Sequence, residues 1–193
     1  MLAIILTVYF EPIELVKKQV DKIHELYPTS DVILFYDGVI EMPIKNVTHV
    51  VSPCHLKTSA SAGLWANEWM RAYLSHSKKP YMLKIDPDTT LIKPLSYYPV
   101  GDVVFGSTRT IKIGRDVIFR IHGGGCGYSR SLVNRMVAEK MWESPEFINN
   151  VRFLDQEDVM LAYLIQRYSI HCVDHGEFSC GRKITTNTSV AHK

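Results

Sequence analysis

The chain has 193 residues, 46% of them hydrophobic and 22% charged, and a formal net charge of +2 at pH 7. That length is enough for one hydrophobic core, and the composition excludes disordered, fibrous and repeat-array classes. Basic residues gather only in short pairs such as Lys17-Lys18 and Lys78-Lys79, so no nucleic-acid partner is expected.

The N-terminal run Met1 to Phe10 is apolar but has no basic flank and no small-residue cleavage site. It is also too short to span a bilayer, so it reads as a strand and no transmembrane segment is expected. On this reading the chain is cytoplasmic, or is the catalytic part of a longer multidomain enzyme. Cys54, Cys126, Cys172 and Cys180 follow no CxxC or zinc spacing and are expected to be free thiols.

Ala3 to Tyr9 has the unbroken apolar, β-branched composition of a strand buried on both faces. Pro12 suits the start of a helix, and Ile13, Val16, Val20, Ile23 and Tyr27 give that helix one buried stripe. Asp31 to Tyr36 is a second buried strand closed by the turn pair Asp37-Gly38, and Thr48 to Ser52 a third. The small residues from Thr58 to Gly63 open a helix carrying Leu64, Trp65, Trp69 and Tyr73. They permit either close approach of a ligand or tight helix packing. Tyr81 to Ile85 is a further strand and runs directly into Asp86. In the second half, Asp102 to Gly106 and Val117 to Ile121 read as strands with a turn at Gly114-Arg115-Asp116. Ser129 to Trp142 and Gln156 to Tyr168 read as helices. Alternating strands and helices predict an α/β fold, a mixed and mostly parallel sheet flanked by helices, with ligands beyond the carboxyl ends of the strands. No polar linker divides the chain, so residues 1–193 read as one domain.

Three segments could carry chemistry. Asp86-Pro87-Asp88 sets two carboxylates one residue apart at a strand end, a pattern suited to Mn²⁺ or Mg²⁺ shared with substrate phosphates, or simply to a solvated turn. The run His122 to Tyr128 puts Gly123, Gly124 and Gly125 between a strand and a helix, where backbone amides could meet a ligand. Ser129 is a suitable N-cap for that helix. Glu157-Asp158-Val159 opens the last helix, where acids are favoured by the helix dipole and where one could also act as a base. Asp37 at a strand tip could accept hydrogen bonds from a base or ribose, and Lys57 could meet a phosphate.

Together these segments resemble the GT-A (Rossmann-like) class of glycosyltransferases, with Asp86-Pro87-Asp88 as its DxD motif. The second half is closer to the inverting β-1,3-galactosyltransferase and Fringe-like group. There a Gly-Gly-x-Gly-Tyr-x-x-Ser-Arg-like run precedes one helix and Glu-Asp-Val opens another. Here the corresponding residues are Gly124 to Arg130 and Glu157-Asp158-Val159, with the spacing after Tyr128 compressed so that Ser129 follows it directly. The resemblance implies a metal-dependent transfer from a nucleotide diphosphate sugar, most simply a UDP-sugar, to a glycan or glycoconjugate hydroxyl. Residues 1–100 would form the nucleotide-sugar half and 101–193 the acceptor and catalytic half. It further implies that Asp86, Asp88 and a C-terminal histidine, His192, hold Mn²⁺ or Mg²⁺, with His175 in reserve. Asp158 would be the general base, and Gly123 to Gly125 would lie beside the donor sugar. Two other readings stay open: a retaining, glycogenin-like GT-A enzyme, and a phosphatase of the haloacid dehalogenase type, whose DxDxT motif Asp86, Asp88 and Thr90 also match.

Overall fold

The computed structural model describes residues 1–38, 42–53, 61–113, 116–145, 157–180 and 183–192, with side chains for all of these except 61 and 111–119. Strand β1 (Leu2–Val8) leads into helix α1 (Ile13–Leu26), then β2 (Asp31–Tyr36) and β3 (Thr48–Val51). Helix α2 (Ser61–His76) and β4 (Tyr81–Ile85) follow, then the short β5 (Thr90–Leu91) and two long strands, β6 (Val103–Ile113) and β7 (Asp116–Ser129). Helix α3 (Arg130–Ala138), a 3₁₀ turn at Met141–Glu143, α4 (Glu157–Arg167), β8 (His171–Asp174) and β9 (Val190–Ala191) complete the described elements.

Seven strands form one mixed sheet in the order β3-β2-β1-β4-β7-β6-β8, and β5 pairs with β9 in a small second sheet. Pairing is parallel from β3 through β4 and again between β6 and β8. It is antiparallel on both sides of β7. The mostly parallel α/β sheet is therefore as expected, and β7 is the antiparallel insertion. After β1 the chain builds outward to β2 and β3, then returns to the other side of β1 as β4. Such a reversal leaves a crevice at the carboxyl ends of β1 and β4, where open α/β sheets bind ligands.

The apolar run of β1 is buried on both faces, as parallel strands require. Ala3 and Ile5 join a core with Trp65, Trp69 and Tyr73 of α2, together with α3 and α4. Leu2, Ile4, Leu6 and Val8 pack on the opposite face against Val16, Val20 and Ile23 of α1 and against Leu91 and Val190 of the small sheet. Gly63, in the first turn of α2, serves the packing reading of its small-residue segment: a Cβ there would lie 2.7 Å from Met160 Cε and 3.0 Å from the Trp142 carbonyl. Removing one large ring such as the fully buried Trp69 would cost about 3–5 kcal/mol.

Two expectations change. The helix expected from Ser129 to Trp142 ends at Ala138, because Lys140 takes the left-handed conformation (φ 51°) and restarts the chain as a 3₁₀ turn. The glycine run expected between strand and helix lies inside β7, whose Gly125, Cys126 and Gly127 pair with Ile85, Lys84 and Leu83 of β4. On the β6 side the register jumps from Gly106↔Cys126 to Thr108↔Ile121, so His122 to Gly125 bulge away from that neighbour. Ser129 does cap α3, accepting from the Leu132 amide at 3.3 Å. Arg130 is structural, its guanidinium donating to the Ser77 and Leu74 carbonyls at the end of α2.

Candidate metal centre

The site is built where β1 and β4 end. A buried strand can carry a polar residue only if that residue finds partners, and Thr7 and Lys84 find theirs in the same carboxylate. Thr7 Oγ1 donates to Asp86 Oδ1 at 2.6 Å, and Lys84 Nζ donates to the same oxygen at 2.8 Å. Oδ1 of Asp86 is thus engaged by the protein, and Oδ2 is the oxygen left for a ligand. Lys84 also donates to the Gly123 carbonyl at 3.0 Å and lies 3.7 Å from Glu157 Oε2, so one buried ammonium ties together β4, β7 and the start of α4. The loop after β4 is held from within by Thr89, whose amide donates to the Asp86 carbonyl and whose hydroxyl donates to the Gly124 carbonyl. It is held from outside by Gln19 of α1, whose Nε2 donates to the Thr89 carbonyl at 2.7 Å.

Electrostatics follow from burial and these pairings. Burial alone would raise the Asp86 carboxyl, but Lys84 and Thr7 hold it below the usual carboxylate range. Burial works against the charge of Lys84 too, and the carboxylates of Asp86 and Glu157 outweigh it, keeping the amine above its ordinary value. Glu157 is pushed up to about 7, first by burial and then by Asp86 and Asp158, with Lys84 opposing.

The second acid stands apart. Asp88 is 67% exposed at its side chain, and His192 Nε2 lies 3.0 Å from its Oδ1. One ligand atom each from Asp86, Asp88 and His192 lies within 4.8 Å of the other two. Two carboxylates supply hard oxygens that fit Mg²⁺ or Mn²⁺, and the imidazole, a borderline base, favours the transition-metal ion manganese. The 3.0 Å separation of Asp88 Oδ1 and His192 Nε2 also fits, since bonds of about 2.1 Å at right angles place two ligand atoms about 3 Å apart. Asp88 forms one wall of an open groove of about 550 Å³ whose other wall is α1, with Lys18 and Lys22 on it.

The three glycines take separate places around this cluster. A Cβ on Gly124 would collide with the His192 ring, so the absence of a side chain there is what admits the histidine. A Cβ on Gly123 would lie 3.3 Å from Asp158 Cβ. Gly125 faces the small sheet, 3.1 Å from Val190 Cγ1 and 3.5 Å from Cys180 Sγ by the same measure. Asp158, in the first turn of α4, pairs through Oδ2 with Arg120 at 2.8 Å. Near both groups stands His122, whose ring lies 5.0 Å from that of His192 and which feels the charge of Asp158. Its pKa is lowered, first by burial and then by His192. Asp37 is buried at the carboxyl end of β2, its amide donating to the Val8 carbonyl. Lys57 and Gln156, the expected start of the last helix, lie outside the described residues, as do Cys54 and the Gly114-Arg115 turn. Cys126, Cys172 and Cys180 are free thiols. His175, the reserve ligand, is buried away from the cluster against Tyr97, Phe105 and Phe178.

Sequence reading passed over Thr7, Lys84, Arg120 and His122. A usable signal existed for Lys84: a lysine inside the apolar run Tyr81 to Ile85 must be paired if that run is buried. Thr7 in β1 carries a weaker form of the same signal. No protein-family model matches the chain, and no curated protein matches it in sequence. Among the described residues no helix is long and apolar enough to cross a membrane.

Proposed function

We propose that this chain is a divalent-cation-dependent, inverting glycosyltransferase of the GT-A class, acting on a nucleotide diphosphate sugar, most simply a UDP-sugar, and a glycan or glycoconjugate hydroxyl. The observation that carries the reading is the meeting of Asp86, Asp88 and His192 at one corner of the strand-end crevice, although 104 positions separate Asp88 from His192. Asp86, Asp88 and His192 would hold Mn²⁺ or Mg²⁺, which supplies positive charge against a departing diphosphate. Thr7 and Lys84 orient Asp86, and Gln19 and Thr89 fix the loop that carries Asp88.

Asp158 is the proposed base. It accepts the proton of the acceptor hydroxyl as that oxygen bonds to C1 of the sugar and the C1–O bond to the diphosphate breaks. Arg120 holds one of its oxygens and leaves the other for the acceptor. Substitution Asp158→Asn keeps the shape of the side chain and removes the base. It should leave nucleotide-sugar binding intact and lower turnover by about 100-fold or more.

The phosphatase reading gives His192 and the glycine bulge no task, and its motif would normally follow the first strand, whereas Asp86 follows the fourth. The decisive experiment incubates the protein with Mn²⁺, a panel of UDP-sugars and hydroxyl acceptors, and reads the anomeric configuration of the product by NMR. An inverted product supports the proposal. A retained configuration replaces it with the glycogenin-like alternative, and phosphate release from a simple ester without any nucleotide replaces it with the phosphatase.

A further inference from the structure

Near both the cation corner and the Asp158 corner lies a ring that neither of them uses. His122 is half-buried on the bulged part of β7. Its Nδ1 accepts from the Gly124 amide at 3.2 Å. An acceptor Nδ1 places the proton of the neutral ring on Nε2, at the far side of the imidazole. No described residue accepts a hydrogen bond from that Nε2. The ring faces His192 at 5.0 Å between centroids. The next residue, Gly123, packs against Asp158.

This position has a chemical consequence that rests on the function proposed above. The diphosphate belongs at the cation corner and the acceptor hydroxyl at Asp158. Whatever bridges the two must be the transferred sugar, because its C1 is bonded first to one and then to the other. We propose that His122 is a specificity-determining residue, donating its Nε2–H to a hydroxyl or ring-substituent oxygen of the transferred sugar. A donor so placed reads the sugar and not the nucleotide. Its fixed tautomer selects a substituent that can accept at that point.

The test separates sugar from nucleotide. Calorimetry with Mn²⁺ measures the affinity of UDP and of the tightest-binding UDP-sugar for the wild-type protein, His122→Ala and His122→Gln, with a melting curve for each. UDP affinity should stay within about twofold across all three proteins. UDP-sugar affinity should fall about five- to tenfold in His122→Ala, the loss of one hydrogen bond. His122→Gln, which keeps an N–H donor, should recover part of it. Equal losses for UDP and UDP-sugar would mean that the ring acts only through His192, which overturns the proposal, as does no loss for either. Absence of UDP binding by the wild-type protein would overturn the glycosyltransferase reading itself.

Discussion

His192 Nε2 and Asp88 Oδ1 lie 3.0 Å apart although 104 positions separate the residues. The small sheet brings them together: Thr90 pairs with Ala191 and Leu91 with Val190, so the residues just before β5 and just after β9 meet. The glycine bulge of β7 then provides the floor, because Gly124 lies directly beneath the His192 ring.

That floor can be tested by adding one methyl group. In Gly124→Ala the new Cβ must displace the His192 ring, which is partly exposed at the surface. Mn²⁺ affinity in the presence of UDP should fall at least about tenfold, since even outer partners of metal ligands are worth that much. The melting temperature should change little. Electron paramagnetic resonance of free Mn²⁺ reads the affinity directly, and unchanged affinity would separate His192 from the cation.

Lys84 gives a prediction on stability. Its ammonium is buried and serves Asp86, the Gly123 carbonyl and Glu157 together. Lys84→Met keeps the volume but leaves two carboxylates without their cation, and breaking a buried pair from one side costs about 3–5 kcal/mol. Urea denaturation at neutral pH should show a loss of that size. Part of it should return in the double variant Lys84→Met, Glu157→Gln, which removes one of the stranded charges. A single variant as stable as the wild type would show that the network contributes nothing to the fold.

His175 should make stability depend on pH. Its ring is fully buried and stacks on Tyr97 at 4.0 Å. Burial lowers its pKa, with the Tyr97 carbonyl, Glu177 and Asp174 opposing. The unfolded chain therefore takes up the proton first as pH falls below about 6.5. The stability that the neutral ring provides is full above that pH and declines as pH falls toward the lower, folded value. Glu157 runs the other way: its raised pKa gives stability below the unfolded carboxyl range that is lost as pH rises through about 7. The informative quantity is thus the difference between wild type and His175→Phe, which keeps a packed ring without a titrating nitrogen. That difference should shrink in favour of the variant between pH 7.5 and pH 5, and a pH-independent difference would contradict the account.

The first half of the fold was open to sequence reading because β1, β2 and β4 are buried on both faces and α1 on one. Asp31–Tyr36 and Tyr81–Ile85 have the boundaries their apolar runs imply, and the stripe Val16, Val20, Ile23 is the buried face of α1. The second half was harder to read. Glycines carry no side chain to pack, so the strand character of Gly123 to Gly127 comes from pairing with β4 and leaves no periodicity in the sequence. The four-residue β8 is only partly buried, and the two-residue strands β5 and β9 are too short to show alternation. Asp86 and Asp88 were visible from local spacing, and His192 only through the resemblance. Their convergence depends on strand pairings more than 95 residues apart in sequence, 90 with 191 and 91 with 190, which no local window contains. Arg120 and His122 precede the glycines without any distinctive spacing, so only the fold could bring them to Asp158 and His192.

The most direct test of the central claim is thermal stabilisation by nucleotides and nucleotide sugars, with and without Mn²⁺, on the wild-type protein and Asp88→Ala. A ligand at a hundred times its dissociation constant adds about 2.7 kcal/mol to native stability. The account predicts a clear upward shift in melting temperature with UDP or a UDP-sugar that requires Mn²⁺ and vanishes in Asp88→Ala. A shift that persists in Asp88→Ala, or no shift with any nucleotide in the presence of Mn²⁺, would contradict it.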